Sequence, residues 1–168
     1  MATAVNNMAV YTLDRVRQLL QRVVVSGTFT KHFEAVHIVS AGDGKCTAEL
    51  TVNENILNNL GTMQGSFSAS LVDVISTYAL LTLRDVRNVS VDMSMSYVDK
   101  AVLGDTVTVE ATTTKLGGST AFLTVDIRNK ETGKLLVKGL HTKQLLNGMD
   151  YLGNKLDRGA ASATTSKA

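Results

Sequence analysis

The sequence predicts an α+β domain in which one long apolar helix is wrapped by a curved antiparallel sheet of five to six strands, with an extra N-terminal helix. Three observations carry that reading. The stretch from Gln64 to Leu83 has helical spacing and a single charge, Asp73. Two strand-like segments precede it and four follow, with turn chemistry between them. No proline occurs in the 168 residues, which removes the usual obstacle to long central strands. A sheet that curls round one helix is the simplest way to bury both apolar surfaces.

Composition narrows the function classes. A chain of 168 residues is one domain by default, and 44% hydrophobic residues mark it as globular. Seventeen basic residues against fifteen acidic ones leave little net charge, and no Lys/Arg run tracks phosphates, so no nucleic-acid partner is expected. The single cysteine, Cys46, excludes an intrachain disulfide and lies in a strand-like alternation with Ala48 and Leu50, which reads as a small core residue. No apolar run reaches the ~18 residues of a membrane span.

Taken in order, residues 1–7 read as a flexible start, residues 8–152 as the domain, and residues 153–168 as a small, polar, disordered tail. The tail ends Ser166-Lys-Ala, near but not equal to a peroxisomal address. Met8 to Val25 is amphipathic, with Val10, Leu13, Val16, Leu19 or Leu20, and Val23 on one side. Its Arg-rich polar side also describes a mitochondrial transit peptide; we read it as a helix packed on the outside of the domain. Phe33 to Ser40 and Lys45 to Val52 read as strands joined by Ala41-Gly-Asp-Gly44, a turn composition. Asn53 to Leu60 is an irregular connection.

In the central helix, Phe67, Leu71, Val74, Ile75, Tyr78 and Leu81 fall at helical spacing. Ala69, Val72, Ala79 and Leu80 occupy the other side, so the helix is expected to be buried nearly all round. A carboxylate within such a helix is costly unless it is paired, hydrated or at work, and Asp73 therefore stands out. Beyond the helix, Val89, Val91, Met93, Met95 and Tyr97 alternate with Ser90, Asp92, Ser94 and Ser96, the pattern of a half-buried strand. Thr106–Lys115, Thr120–Asn129 and Lys134–Gln144 follow as a meander, with turns at Leu116-Gly-Gly-Ser119 and Lys130-Glu-Thr-Gly133.

Two of these stretches, Asn58-Asn-Leu-Gly-Thr-Met-Gln-Gly-Ser-Phe-Ser-Ala-Ser-Leu-Val-Asp73 and Val89-Ser-Val-Asp-Met-Ser-Met-Ser-Tyr97, resemble the hotdog-fold acyl-CoA thioesterases. The similarity is to the phenylacetate-degradation branch and its animal acyl-CoA thioesterase 13 type, also called thioesterase superfamily member 2. It runs from about Phe33 to Leu145 and includes His141-Thr-Lys143. The family signature is a His-Gly-Gly at the helix start, with an Asn before it and an Asp within the helix. Position by position, the resemblance implies that Asn58 is the Asn, Gly65 the first Gly, Asp73 the acid and Ser90 a supporting serine. Gln64 stands where the family has His, and Ser66 where it has the second Gly.

Thioester hydrolysis needs a polarised carbonyl and an activated water. The backbone N–H of Gly65, at a helix N-terminus, suits a developing oxyanion, and glycine lets a substrate approach closely. A glycine there also eases a loop into a helix. Asp73 is the candidate general base, with a nucleophilic role or a purely structural hydroxyl-held acid as alternatives. Asn58 either donates its amide to the carbonyl or caps loop backbone. Ser90 orients the water or Asp73, or is a solvent-side serine on the polar face of its strand. Gln64 keeps hydrogen-bonding capacity but cannot take up a charge.

Gly65 and Asp73 are eight residues apart, about 12 Å along a helix, so one chain cannot bring both to one thioester. A working site needs Gly65 of one chain facing Asp73 of another across a two-fold axis, as the family builds it. The resemblance thus implies an acyl-CoA (fatty or aryl) thioesterase acting as a homodimer, arranged as a dimer of dimers, cytoplasmic or mitochondrial, with coenzyme A entering only as part of the substrate. Lys100, Lys115, Lys143, Arg84 and Arg87 are candidates for its phosphates, each otherwise an ordinary surface charge. Phe67, Tyr78, Met93 and Met95 are candidates for an acyl tunnel, or core. His32, His37 and His141 are scattered, no metal-ligand spacing or GxSxG elbow occurs, and neither metal nor cofactor is expected. The alternative reading is a non-catalytic acyl-CoA-binding hotdog protein, suggested by Gln64.

Overall fold

The computed structural model describes residues 10–156. In chain order it contains α1 (Leu13–Val25), a short 3-10 helix (Phe29–Phe33), β1 (His37–Gly42) and β2 (Lys45–Thr51). A second 3-10 helix (Glu54–Ile56) leads to α2 (Gly65–Leu81), followed by β3 (Arg87–Tyr97), β4 (Thr106–Leu116), β5 (Thr120–Asn129) and β6 (Leu135–Leu146). All six strands form one antiparallel sheet in the order β1-β2-β4-β5-β6-β3. The meander β4-β5-β6 is its middle, and the strand after the helix travels to the far edge.

The sheet wraps α2. Phe67, Leu71, Val72, Ile75, Tyr78, Leu80 and Leu81 are buried in the helix, and Val107, Val109, Ala111, Val125, Ile127 and Val137 form the wall of strands that meets it. Gly139 on β6 sets the closest approach. A Cβ built there would lie 2.8 Å from Val72 Cγ1, inside any permitted contact, so glycine is what lets the helix seat on the sheet. The β1–β2 hairpin turns at Asp43-Gly44, both with positive φ (50° and 77°), the geometry whose twist matches paired strands.

α1 packs on β1 through buried Val16, Leu19 and Leu20 and is capped by Thr12, whose hydroxyl accepts from Arg15 N. Arg15 Nη2 pairs with Asp85 Oδ2 at 3.2 Å. The helix begins at Leu13 rather than Met8; Met8 and Ala9 lie outside the described residues, as do residues 1–7 and the tail from 157 onward, including its Ser-Lys-Ala ending. The first four residues of the expected tail, Gly153 to Leu156, fold back, with Leu156 N donating to Gly148 O at 2.8 Å. No helix among the described residues is long and apolar enough to cross a membrane.

Two strand expectations change. The first strand starts at His37 and not Phe33, because Phe29–Phe33 coils into the 3-10 helix and plants Phe33 against Phe67, ring centroids 5.3 Å apart. Apolar spacing alone does not separate an anchored turn from a strand end. The strand Arg87–Tyr97 is an edge strand, exposed on both sides rather than half-buried, with Val89, Val91, Met93 and Tyr97 all open. Its register slips between Ser90 and Asp92. Ser90 pairs with Lys143 and, past the irregularity, Met93 pairs with His141. Opposed residues share a face, so the bulge turns Ser90 to the same helix-facing side as Met93 and Met95 instead of the opposite one.

Candidate active site

The start of α2 is built by a tight loop. Asn58 Oδ1 accepts from Leu60 N (2.9 Å) and Thr62 N (3.1 Å), and its Nδ2 donates to Thr62 Oγ1 (2.8 Å). The side chain therefore holds the loop, and the second Nδ2 hydrogen remains available. Gln64 is the N-cap residue of α2, with extended backbone (ψ 127°), an exposed side chain and no side-chain capping bond. Gly65 is the first helical residue, so its N–H has no acceptor within the helix. Tyr97 Oη donates to Gly65 O at 3.0 Å, and a Cβ at Gly65 would touch the Tyr97 ring at 3.3 Å. A cavity of about 410 Å³ opens here, with Asn58, Gln64, Ser66 and Phe67 in its wall.

Two turns further on, Asp73 sits on the less buried side of α2, its side chain 48% exposed. The expected buried acid is thus half open: the side of the helix that carries it, with Ser66, Ala69 and Ser70, is only partly covered by its own chain. Ser90 Oγ donates to Asp73 Oδ1 at 3.2 Å, and Lys143 Nζ donates to the same oxygen at 3.1 Å and to Ser90 Oγ at 3.2 Å. Oδ2 has no protein partner among the described residues. A second cavity, about 260 Å³, runs from Asp73 past Thr77, Tyr78 and Ser90 to Tyr151 and Val23.

Behind Ser90 lies His141, whose Nε2 is 2.9 Å from Ser90 Oγ and whose Nδ1 is 2.8 Å from Ser76 Oγ. Burial, and next the charge of Lys143, push this imidazole down to about 4, against the pull of Asp73 and Asp92. It is therefore neutral at pH 7 and carries one N–H. The network is satisfied when Ser76 donates to Nδ1, Nε2–H donates to Ser90, and Ser90 donates to Asp73. The Lys143 ammonium is held below its usual range by burial, opposed by Asp73.

The fold thus brings Asp73 and Ser90 together, and gathers Asn58, Gln64 and Gly65 at the helix start, about 12 Å away along one helix. Two residues of the network were not assigned to it from sequence. Lys143 is not a surface charge available to a nucleotide phosphate, being 3% exposed and paired inward, and His141 is not an isolated histidine. The signal lay in the alternation of β6, where Val137, Gly139, His141, Lys143 and Leu145 share the buried face. Of the tunnel candidates, Phe67 and Tyr78 line the two cavities, Met95 packs on the core and Met93 is exposed on the edge strand. Cys46 is buried, its thiol pushed up to about 12 by desolvation. Among the described residues, no group of three or more His, Cys, Asp or Glu is placed to hold a metal ion.

Residues 60–136 match the family model described as thioesterase superfamily. The chain is 44% identical over 135 residues to acyl-coenzyme A thioesterase 13 of Homo sapiens, spanning 77% of this chain and 96% of that protein. It is 41% identical to acyl-coenzyme A thioesterase 13 of Mus musculus, spanning 80% and 96%. Among solved structures, zebra fish thioesterase superfamily member 2 superposes with a TM-score of 0.78 at 39% identity, over 80% of this chain and 99% of that one. A hypothetical thioesterase of Streptococcus pneumoniae, solved with coenzyme A, superposes with a TM-score of 0.68 at 25% identity, over 76% and 94%.

Proposed function

The chain belongs to the thioesterase superfamily, and from that premise we propose that it hydrolyses acyl-coenzyme A to free acid and coenzyme A at a site shared by two copies of the chain. The observation that carries this reading is Asp73, a half-open carboxylate on an otherwise apolar helix, with Oδ1 held by Ser90 and Lys143 and Oδ2 left for a water.

Asp73 takes a proton from that water as its oxygen attacks the thioester carbonyl carbon. Charge develops on the carbonyl oxygen, where the Gly65 N–H and the spare Asn58 amide hydrogen of the other copy stabilise it. Collapse of the tetrahedral species breaks the C–S bond; sulfur leaves with the electron pair and is protonated as the thiol. Ser90, fixed by His141 and Lys143, keeps the carboxylate in place. Gln64 and Tyr97 shape the helix start, and the cavity reaching Tyr78 and Tyr151 offers room for the acyl group.

Three features support the two-copy arrangement. Gly65 and Asp73 lie too far apart within one chain. The side of α2 that bears Asp73 is lined by Ser66, Ala69 and Ser70, small enough for a second helix to approach closely. β3 ends the sheet, leaving an edge open to pair with its two-fold mate. A further pairing of dimers would cover the outer sheet face, where Val89, Phe122, Leu140 and Leu146 are exposed. Nucleotide phosphates then meet Lys100, Lys115, Arg84 or Arg87. We place the enzyme in the cytoplasm or mitochondrion, where a lone thiol such as Cys46 stays reduced.

The test is thiol release from short, aromatic and long-chain acyl-CoAs by wild type and Asp73→Asn. That variant keeps an acceptor for Lys143 but no base. Hydrolysis that drops at least about a hundredfold in Asp73→Asn supports the reading. Binding without hydrolysis by wild type would instead favour an acyl-CoA-binding protein, and undiminished turnover by the variant would overturn the role of Asp73.

A further inference from the structure

The 410 Å³ cavity at the start of α2 contains one titratable side chain, and the mechanism above leaves it unused. His32, on the 3-10 helix Phe29–Phe33, lines this cavity together with Asn58, Gln64 and Ser66, the last two flanking Gly65. The imidazole is held by ring contact rather than by polar bonds. Its centroid lies 5.6 Å from that of Phe29, and it makes no hydrogen bond among the described residues. Phe33, next along the same turn, anchors the element on Phe67 of α2. A partly exposed imidazole on a turn anchored by Phe33, lining the same cavity as the two residues that flank Gly65, is placed for proton transfer. Gln64, the other long side chain at this point, cannot move a proton.

Resting on the thioesterase reading, we propose that His32 is a further catalytic residue, the acid that protonates the departing sulfur. As the C–S bond breaks, its electron pair goes to sulfur, and a ring N–H of the His32 imidazolium passes its proton there. The neutral imidazole is reprotonated through solvent by the proton that Asp73 took from water, so the reaction sums to water added across the C–S bond. Lys31 and Glu34 neighbour His32 in the chain. The polar residues that the other elements present to the cavity are Asn55, Asn58, Asn59, Gln64 and Ser66, none of them ionisable, and Glu54 of the second 3-10 helix is not in the lining.

The experiment is the pH dependence of kcat and kcat/KM for wild type, His32→Gln, and His32→Gln combined with Gln64→His, on whichever acyl-CoA wild type turns over fastest. Thermal melting confirms that each variant is folded. Wild type should lose activity towards alkaline pH, as a reaction that depends on a protonated acid must. His32→Gln should lower kcat about a hundredfold and abolish that fall. The double variant should regain both, because an imidazole returns to the same cavity from α2. Wild-type kcat with an unaltered profile in His32→Gln, or a lowered kcat that keeps the alkaline fall, overturns the proposal while leaving the thioesterase reading intact. Absence of turnover by wild type itself removes both.

Discussion

At Asp73, the side-chain hydrogen bonds that hold the carboxylate converge on a single oxygen. Ser90 and Lys143 both use Oδ1, and His141 stands behind Ser90. The acid was legible in the sequence because it is the lone charge between Gln64 and Leu83. Its supports were not, since only the sidedness of β6 and the bulge in β3 bring His141, Lys143 and Ser90 to one point. His141 also makes folding pH-dependent. Its ordinary value near 6.5 falls to about 4 in the folded chain, chiefly by burial. The unfolded chain therefore takes up this proton first as the pH drops. The stabilisation is full above about pH 6.5 and is lost between there and about pH 4, on the order of 3 kcal/mol. Urea unfolding at pH 7.5, 5.5 and 4.5 should show the loss in wild type and a much shallower one in His141→Gln; equal slopes would show that other groups dominate.

At the scale of elements, α2 and the strands of the meander were readable because period and turn chemistry agree along each segment: Thr120–Asn129 falls on the expected residues, and Asp43-Gly44 makes the expected turn. What periodicity missed was non-periodic. The 3-10 helix at Phe29–Phe33 uses an apolar residue as an anchor, and the register slip after Ser90 reverses which side chains face the helix. The seat of α2 on β6 is a matter of a single missing methyl. Gly139→Ala places a Cβ 2.8 Å from Val72 Cγ1 and should cost about 1–3 kcal/mol, read as a lower Tm. Adding Val72→Ala should return part of that loss relative to Val72→Ala alone, because the crowding atoms are gone; a purely additive double variant would show that the contact relaxes without cost.

For the whole molecule, the proposed mechanism requires two chains that complete each other's site. Edge pairing through β3 should be blocked by Val91→Lys, which sets a charge on an exposed edge position; sedimentation should then show a smaller species with turnover lost in parallel. The separation along α2 is the reason to expect a two-chain site from sequence, whereas the open edge and the small-residue helix side that suit one become visible only in the fold. The most direct test is complementation. Asp73→Asn removes the proposed base. Gly65→Pro removes the backbone N–H at the first helical position, where proline is tolerated, and the extended Gln64 before it accommodates the ring. Each variant alone should hydrolyse acyl-CoA at least about a hundredfold more slowly than wild type. Refolded together in equal amounts, half of the dimers are mixed and each carries one intact site. About a quarter of wild-type turnover should therefore return. A mixture no more active than its separate components would contradict the shared site and return catalysis to a single chain.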